Sequence, residues 1–441
     1  MWYTKYAAKI LPQQMLPQRS LQAFLTAARA TLTAPPLSRS GPLHFVVGNE
    51  SADLDSLCST LLLAYFRSHT PPHILHVPLC HLPREDLALR PEFGAVLKCA
   101  GVTVDDVLTL SEMLPMKGRG RAAVEKGVLK PEDTRWLLVD HNVLTGRLGK
   151  DFGDRVIGCI DHHDDEGVVP KDAEPRVIKK TGSCMSLVLE QCRETWDEMA
   201  SRGKLIPNKS EINEQLAYLA LAPILIDTSN LKNKDKTTEN DVRAVGLAER
   251  WILSSRAEQA ATRLLPTSPI STSTYDRDSF FAEVSALKED ISQLVVRDIL
   301  RKDYKEWTEG SLKLGTSSVP QSFTFLIKHA GTRHALSGAV NDWIVRNKLD
   351  VLAVLTTSKD DKGVFRRELM VWVKSLPYAL SAVKGFMEGE GREKLGLVTW
   401  GEGMLDEVDA KGSWKRCWRQ EKVEFSRKQI APMLRDVLRG V

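Results

Sequence analysis

Short apolar runs that end in acidic side chains recur through the first half of the chain. The run at 156–160 leads directly into Asp161, His162 and His163. The same arrangement occurs in three further segments: residues 44–56 with Asp53 and Asp55, residues 136–142 with Asp140, and residues 221–230 with Asp227. Apolar runs of this length, bounded by polar residues, are typical of buried strands. We therefore expect a set of strands whose carboxyl ends carry acids.

Helical segments alternate with these runs and predict an α/β fold. The pattern predicts strands at 44–48 and 74–79, with a helix at 55–66 directly after the first strand. Residues 181–184 resemble a glycine-containing turn at a helix start, which would serve either as a phosphate site or as a plain helix cap. Because strand, helix and strand alternate to about residue 253, we expect a doubly wound, mostly parallel sheet.

A stretch rich in proline, serine and threonine at 264–275 divides the chain. This composition is typical of an interdomain linker. Behind it the pattern predicts a smaller α/β domain with a helix at 281–300, strands at 322–328 and 349–356, and a terminal helix near 429–438. The expected organisation is an N-terminal extension (1–18), a first domain (19–263), the linker (264–275) and a second domain (276–441).

Composition narrows the class of protein. The chain has 441 residues, of which 42% are hydrophobic and 27% charged, which is ordinary for a globular protein. No apolar run approaches the roughly 18 residues of a membrane span. The net charge is only +4, and stretches that combine basic and aromatic residues for base stacking are lacking, so neither a membrane nor nucleic acid is an expected partner. The seven cysteines contain no Cys-x-x-Cys pair, which favours a reducing compartment.

The first fifty residues are unusual because no acidic residue precedes Glu50. The same stretch contains several basic residues, namely Lys5, Lys9, Arg19, Arg29 and Arg39. A basic, acid-free start is typical of a mitochondrial transit peptide, whereas the simpler interpretation is an ordinary first helix at about 19–32. The cytoplasm is the expected location, and the mitochondrial matrix stays open as an alternative.

The acidic strand ends predict a metal site. In an open parallel sheet the carboxyl ends of the strands line one crevice, where ligands bind. Several carboxylates and an imidazole brought together there would repel one another without cations. Oxygen ligands with one or two imidazoles suit Mg²⁺ or Mn²⁺ better than a thiolate-rich zinc site. The sequence therefore predicts a divalent metal as cofactor.

Basic residues cluster in the predicted second domain. The clusters are Arg301–Lys305, the group Lys362, Arg366 and Arg367, and the segment 411–428, which contains Lys415, Arg416, Arg419, Arg427 and Lys428. Any single cluster is most simply a solvated surface. The contrast with an acidic, metal-ready first domain favours a polyanionic substrate that both domains bind.

The motifs, taken in order, resemble those of the DHH phosphoesterase superfamily, in the branch of fungal exopolyphosphatases, prune proteins and family II inorganic pyrophosphatases. The matching segments are Gly48–Ser56, Val139–Asn142, Asp161–His163 and Asp227–Asn230, followed in the second domain by Asp303–Trp307 and Phe425–Gln429. The resemblance covers nearly the whole chain from about residue 19. The sequence at Gly48–Asp53 and at Asp303–Trp307 is most similar to that of the exopolyphosphatases.

The resemblance also implies roles for individual residues. The implied metal ligands are Asp53, Asp55, Asp140, His162 and Asp227, with Asp140 bridging two ions and Asn49 as a further candidate. His163 would contact the attacked phosphate, as a donor to a phosphoryl oxygen in preference to a general acid. Lys305, Arg427 and Lys428 would bind substrate phosphates, and Arg366 and Arg367 would extend the cation track for a long chain.

The expected function is a metal-dependent exopolyphosphatase that releases orthophosphate from inorganic polyphosphate by attack of a hydroxide bridging two Mg²⁺ or Mn²⁺ ions. Asn49 departs from the pyrophosphatase pattern, which has histidine there, and makes a pyrophosphatase less expected. The alternatives are a prune-like hydrolase of short polyphosphates or nucleotides, a pyrophosphatase, a degenerate polyphosphate-binding protein and a nuclease. A monomer is favoured, although the sequence leaves the oligomeric state open.

Overall fold

The computed structural model describes residues 20–35, 38–39, 41–113, 129–202, 208–262, 275–374, 377–408 and 412–441. The predicted extension at 1–18 and all but the last residue of the predicted linker lie outside these ranges. The described residues form two compact units. The first contains those up to Val284 except Glu85–Pro91, and the second contains Glu85–Pro91 together with Ser285–Val441.

In the first part of the chain, strands and helices are interspersed up to residue 178. From there to residue 289 the described elements are helices. In order, the strands and helices are α1 Leu21–Thr33, β1 Leu43–Val47, α2 Leu54–His69, β2 His76–Leu79, α3 Pro91–Cys99, α4 Leu110–Met113, β3 Thr134–Val139, α5 Gly146–Phe152, β4 Val156–Asp161, β5 Arg176–Ile178, α6 Cys184–Arg202, α7 Lys209–Asp227, α8 Glu239–Thr262 and α9 Arg277–Glu289.

The five strands form one parallel sheet in the order β2-β1-β3-β4-β5. The central strands are buried, and the ring of Phe45 stacks on Trp136 of the neighbouring strand at 4.4 Å. The order reverses between β1 and β3, because the chain runs outward from β1 to β2 and then returns to the other side. In such sheets the ligand crevice lies at the carboxyl ends of the strands beside this reversal, where Asn49, Asp53 and Asp140 follow β1 and β3.

The prediction of a strand before Asp227 is wrong. The apolar run at 221–226 is the last part of α7, which has a proline inside it and ends at Asp227. This helix is buried along most of its length because it contacts α2, α6 and α8. A helix that is apolar all round cannot be told from a buried strand by periodicity alone. For the same reason the predicted strand–helix alternation to residue 253 ends at β5, and helices follow.

The second unit is built on a larger mixed sheet. Its remaining elements are α10 Val296–Lys302, β6 Tyr304–Glu309, β7 Leu312–Val319, α11 Phe323–Ala330, α12 Arg333–Asn347, β8 Val351–Lys359, β9 Phe365–Val373, α13 Pro377–Glu388, α14 Glu390–Leu395, β10 Leu397–Thr399, β11 Glu407–Val408, β12 Trp414–Gln420 and α15 Arg427–Arg439. The strand order is β10-β12-β9-β8-β7-β6, with β11 paired to β12. Among the described strands of this sheet, only β7 and β8 pair in parallel. Separate hydrophobic clusters cover the two faces of the sheet.

Two predicted elements of the second domain differ from the structure. The expected strand at 322–328 is helix α11, because Ser322 caps it by accepting a hydrogen bond from the Phe325 amide, and Phe323 and Leu326 are buried one turn apart. The expected helix at 281–300 is two helices, α9 and α10. Between them the Asp290 carboxylate accepts a hydrogen bond from the Ser292 amide, a local bond that competes with helix continuation.

The predicted fold class, a mostly parallel α/β sheet followed by a smaller α/β domain, is confirmed. The strands predicted at 44–48, 74–79 and 349–356 and the terminal helix are present with small shifts at their ends. Cys159 and Cys184 are both buried. Among the described helices, none combines the length and apolar character that crossing a membrane requires.

Candidate metal centre

Asp140 lies at the centre of the crevice, directly after β3. Its backbone is in the left-handed region (φ 61°), and its carboxylate is 3% exposed. One carboxylate oxygen, Oδ2, accepts hydrogen bonds from Asn49 Nδ2 (2.7 Å) and Ser56 Oγ (2.6 Å). These two donors hold the carboxylate so that the other oxygen, Oδ1, is directed towards the histidines after β4.

The Asn49 amide is used entirely within the protein. Its oxygen accepts hydrogen bonds from the backbone N–H groups of Ser51 (2.9 Å) and Ala52 (3.1 Å), and its nitrogen donates to Asp140. An amide nitrogen that donates to a carboxylate is not a metal ligand. The geometry therefore supports Asn49 as a residue that positions Asp140.

His162 faces the free oxygen of Asp140. Its Nε2 lies 3.2 Å from Asp140 Oδ1, and its Nδ1 lies 3.1 Å from the Thr181 carbonyl oxygen. Because a carbonyl only accepts, Nδ1 must carry the proton, and in the neutral ring the Nε2 lone pair then points at a carboxylate. This contact is repulsive unless a proton or a cation lies between the two atoms. Metal-binding histidines commonly donate their other ring N–H to a backbone carbonyl in this way.

His163 is oriented by Asp161, which is fully buried. The Nδ1 of His163 lies 2.8 Å from Asp161 Oδ1 and 3.8 Å from Asp140 Oδ1. The other oxygen of Asp161 accepts a hydrogen bond of 2.6 Å from Asn142 Nδ2. Burial alone would raise the pKa of Asp161, but the bond and charge of His163 and the Asn142 donor lower it below its ordinary value.

Asp55, in the first turn of α2, caps the start of α6 with its carboxylate. Its carboxylate, 3% exposed, accepts hydrogen bonds from Ser183 Oγ (2.9 Å) and from the backbone N–H groups of Cys184 (2.7 Å) and Met185 (3.0 Å). Burial raises the pKa of Asp55 well above its ordinary value, and the charges of Asp140 and Asp227 raise it further.

A second carboxylate, Asp241 of α8, accepts from the N–H groups of Gly182 and Ser183. Together with Asp55 it caps the helix start that the sequence marked as either a phosphate site or a plain cap. Two carboxylates of the chain therefore accept hydrogen bonds from these N–H groups. Of the two alternatives, the arrangement is that of a helix cap.

The remaining predicted ligands lie around this group. Asp53 caps α2, accepting a hydrogen bond of 3.0 Å from the Ser56 amide. Asp227 ends α7 and acts electrostatically on Asp55. Burial alone would raise the pKa of Asp140, but a protonated His162 holds it well below its usual range through its hydrogen bond and charge, with His163 and Ser56 acting in the same direction.

The donor set fits a divalent cation. Ligand atoms of Asp140, His162 and His163 lie within 4.8 Å of one another. Asp55 adds a buried carboxylate close to the negative charges of other acids, and the contact of His162 Nε2 with Asp140 Oδ1 needs a proton or a cation between the two atoms. Oxygen and imidazole donors together suit Mg²⁺ or Mn²⁺.

The cations predicted for phosphate binding belong to the second unit. Arg427, the first residue of α15, donates from Nη1 to the Asp303 carboxylate (2.8 Å) and to its carbonyl (2.9 Å). Lys305 lies on β6, two residues after Asp303. Burial alone would raise the pKa of Asp303, but the charges of Arg427, Arg90 and Lys305 outweigh it and lower this pKa to about 2.

The other predicted phosphate-binding residues are placed differently. Lys428 is exposed on the first turn of α15. Arg366 makes two hydrogen bonds to Asp360 (3.0 and 2.8 Å), and Arg367 donates to the Val423 carbonyl (2.6 Å). Arg366 and Arg367 are consecutive on β9, so their side chains leave opposite faces of the sheet.

Several residues of the site carried no sequence signal that identified them. Ser56 and Asn142 hold carboxylates, and Asp241 anchors α6. Arg90 belongs to the second unit, where it is buried and donates to the Lys302 carbonyl, 212 positions later in the chain. Ser56 and Asn142 end two of the segments that resemble the family, Gly48–Ser56 and Val139–Asn142, but the sequence pattern assigns neither of them a role, and nothing local marks Arg90.

Comparison with known proteins identifies the family. Residues 44–224 match the model of the DHH family, N-terminal domain, and residues 282–437 match that of the DHHA2 domain. A Schizosaccharomyces pombe protein named "Putative exopolyphosphatase" is 30% identical over 420 residues, which cover 93% of this chain and 94% of the relative. The chain belongs to the DHH phosphoesterase family. The resemblance inferred from the motifs is thereby confirmed, and a hydrolase that depends on metal agrees with the Asp140 and histidine cluster.

More distant relatives agree with this family assignment. The Bos taurus protein named "Exopolyphosphatase PRUNE1" is 23% identical over 422 residues, covering 95% of this chain and 79% of the relative. The crystal structure of a Methanococcus jannaschii "putative family II inorganic pyrophosphatase" superposes with a TM-score of 0.50 at 19% identity. It covers 90% of this chain and 99% of that one. At this identity the similarity concerns the fold alone.

Proposed function

We propose that this DHH phosphoesterase is an exopolyphosphatase, which releases orthophosphate from the ends of inorganic polyphosphate. The observation that carries the metal dependence is the approach of His162 Nε2 to Asp140 Oδ1 at 3.2 Å while Nδ1 faces the Thr181 carbonyl, a contact that needs a proton or a cation between Nε2 and the carboxylate. The choice of polyphosphate is supported by the fission yeast relative, which is similar over almost its whole length and is named for that activity.

The metal ligands in this proposal are the carboxylates of the crevice with one imidazole. They are Asp53, Asp55, Asp140, His162 and Asp227, and they would hold two Mg²⁺ or Mn²⁺ ions. The bound ions would polarise the phosphoryl oxygens and lower the pKa of a water molecule towards about 7. Asn49 and Ser56 fix the Asp140 carboxylate, and the Thr181 carbonyl fixes the tautomer of His162. These contacts orient the ligands before substrate arrives.

His163 is proposed to contact the phosphoryl group that is attacked. When its ring is protonated, Nδ1 donates to Asp161 and the Nε2–H is available for a phosphoryl oxygen, on which negative charge grows in the transition state. Donation to that oxygen is favoured over protonation of the leaving group, because the leaving group is itself an acidic phosphate that needs little assistance.

Lys305, Arg427 and Lys428 are proposed to bind substrate phosphates from the second unit. Arg427 is held by Asp303 through two hydrogen bonds, which leaves its remaining N–H groups in a fixed orientation. A guanidinium prepared in this way loses less side-chain entropy when it binds phosphate.

Phosphate release from long-chain polyphosphate and from pyrophosphate, measured side by side with Mg²⁺ and with a chelator, tests the proposal. We expect chelator-sensitive release from the polymer and little from pyrophosphate. Asp140→Asn should abolish hydrolysis with the fold intact by circular dichroism, whereas Asp151→Asn, an exposed carboxylate on α5, should remain active. Release mainly from pyrophosphate would reject the polyphosphate assignment, and activity in Asp140→Asn would reject the metal centre.

The proposed role of Arg366 and Arg367 in binding long chains needs its own experiment. Because both guanidiniums already have partners and leave opposite faces of β9, single and double alanine variants should be compared. The proposal expects the double variant to raise the KM for long polyphosphate more than that for tripolyphosphate. Equal effects on both substrates would remove these two residues from the substrate site.

A further inference from the structure

Helices α6 and α8 enclose a groove of about 420 Å³ in the first unit. Its apolar floor consists of Leu189, Ala244 and Leu247, and three arginines, Arg193, Arg243 and Arg250, line its sides. The volume falls within the roughly 300–1,000 Å³ typical of small-molecule sites. None of these residues belongs to the metal centre or to the phosphate-binding residues of the second unit.

The arginines of the groove are weakly neutralised. Arg193 and Arg243 lie 3.7 and 3.6 Å from carboxylates one turn away on their own helices, which is longer than a hydrogen bond. Arg243 also donates a hydrogen bond to the neutral side chain of Asn240, which lines the groove. Arg250 is exposed and has no ion pair or hydrogen bond within the part of the chain that the structure describes. Glu190 is the one acidic side chain of the described lining, which contains three arginines, so the positive charges outnumber the negative ones among the residues that line the groove.

Gly246 of α8 also lines the groove. A Cβ at this position would have no neighbour within 4 Å, so packing does not require glycine there. A glycine inside a helix costs about 0.5–1 kcal/mol relative to alanine. The space that a side chain at 246 would occupy is therefore open to solvent or to a ligand. The glycine makes α8 less stable than an alanine at this position would.

The groove is held by contacts at both ends. At one end of the groove, Trp196 of α6 and Trp251 of α8 stack with ring centroids 5.6 Å apart and planes 4° apart. At the other end Ser186, which lines the groove, donates a 2.6 Å hydrogen bond to Asp241. Asp241 in turn caps the start of α6, the helix whose first N–H groups bind Asp55. The groove is therefore preformed and is linked to a proposed metal ligand through one turn of helix.

We propose that the groove between α6 and α8 is a second anion site that takes a nucleoside polyphosphate. The three guanidiniums supply the donors that phosphate oxygens prefer, and the apolar floor offers a surface for the base or sugar. Inorganic tripolyphosphate shares the phosphate chemistry but lacks the organic part, so it should bind more weakly. Binding at this site needs no metal, because the arginines themselves carry the charge.

The experiment measures binding of ATP and of tripolyphosphate to the full-length Asp140→Asn protein by calorimetry, with chelator present. Two matched pairs of variants test the groove. Gly246→Leu fills it and Gly246→Ala does not, whereas Arg250→Glu reverses a charge in the groove and Arg346→Glu reverses one on an exposed site of α12. Calorimetry in chelator reads binding without hydrolysis, so failure of the proposed function leaves this test unaffected.

We expect Gly246→Leu and Arg250→Glu to weaken ATP binding by roughly tenfold or more, the loss of one charge-assisted contact. Gly246→Ala and Arg346→Glu should stay within about twofold of the parent, and both Gly246 variants should melt no lower than the parent, since alanine and leucine favour helix more than glycine does. Tripolyphosphate binding lost in the same two variants would support the phosphate part of the site. Absence of ATP binding, or equal binding in all four variants, would overturn the proposal.

Discussion

Replacing Asp161 by asparagine tests how the buried carboxylate controls His163. Asparagine has the same shape, but one carboxylate oxygen becomes an NH₂ group. If that NH₂ takes the place of Oδ2, it faces the Asn142 Nδ2 donor, which now lies 2.6 Å away. Asn142 cannot turn its own amide without loss, because it also donates to the Asp164 carbonyl and accepts from the Glu166 amide, each at 2.9 Å. If the NH₂ instead takes the place of Oδ1, it faces the ring of His163 and the backbone N–H of His162, each of which lies 2.8 Å from that oxygen.

The magnitude follows from these contacts. One buried donor is left without a partner in either orientation, which costs about 1–3 kcal/mol of stability. The hydrogen bond from His163 Nδ1 also loses its charged acceptor, and a bond to a charged group contributes about 1.5–3 kcal/mol. Since each 1.36 kcal/mol corresponds to about tenfold in rate, kcat should fall roughly 10- to 150-fold. KM should change less, because the phosphate-binding cations are untouched.

The assay is steady-state phosphate release with urea unfolding of the same preparation. Asp164→Asn is the matched control, since Asp164 lies three positions away in the same loop with a side chain that is 93% exposed, and it should retain activity and stability. An unchanged kcat in folded Asp161→Asn would refute the orienting role of Asp161, and an equal loss in the control would assign the effect to the loop as a whole.

Three further predictions concern stability. In Gly182→Ala the new Cβ would lie 2.6 Å from Thr228 Cγ2 and 2.9 Å from the Asp241 carboxylate, so urea unfolding should show a loss of about 1–3 kcal/mol, and a wild-type midpoint would contradict the close contact. The pKa of Asp303 is lowered from 3.8 to about 2, so its pairing with Arg427 stabilises the fold above pH 3.8 and loses this effect as the pH falls towards 2. Allowing for partial solvent exposure, Arg427→Met should cost about 1 kcal/mol at pH 6, and a stability deficit that does not shrink between pH 4 and pH 2 would refute this. Removal of metal by a chelator should lower the melting temperature, because saturation at about 100 Kd contributes about 2.7 kcal/mol, and the same melting temperature with and without metal would contradict metal binding.

The strands and acids of the first sheet were predictable because each apolar run is short, buried and followed at once by polar residues. Those runs place Asp140 and His162 at neighbouring strand ends, and this is the part of the site that follows from pattern alone. The run before Asp227 has the same composition but lies in a helix, because a helix buried on all sides shows no period. At 322–328 aromatic and β-branched residues favoured a strand, and the Ser322 cap with tertiary burial decided for a helix.

Contacts between distant parts of the chain lie beyond such reasoning. Three of the donors on Asp55 come from residues 128 to 130 positions away, and their arrangement depends on the packing of α6 against the sheet. Asn49 shows the same limit at closer range. The sequence shows that asparagine stands where the pyrophosphatase pattern has histidine. Only the geometry shows that the Asn49 amide donates a hydrogen bond to Asp140.

The assignment of Glu85–Pro91 to the second unit has a consequence for synthesis. Arg90 leaves the ribosome long before its partner, the Lys302 carbonyl, which lies 212 residues further on. At about 5–20 residues per second this interval is roughly 10–40 s. During that time the first sheet can assemble from strands that precede and follow Glu85–Pro91 in the sequence. Arg90 meanwhile lacks the contact that it makes in the finished protein. The second unit therefore cannot be completed as an independent late event, since one piece of it is translated before most of the first.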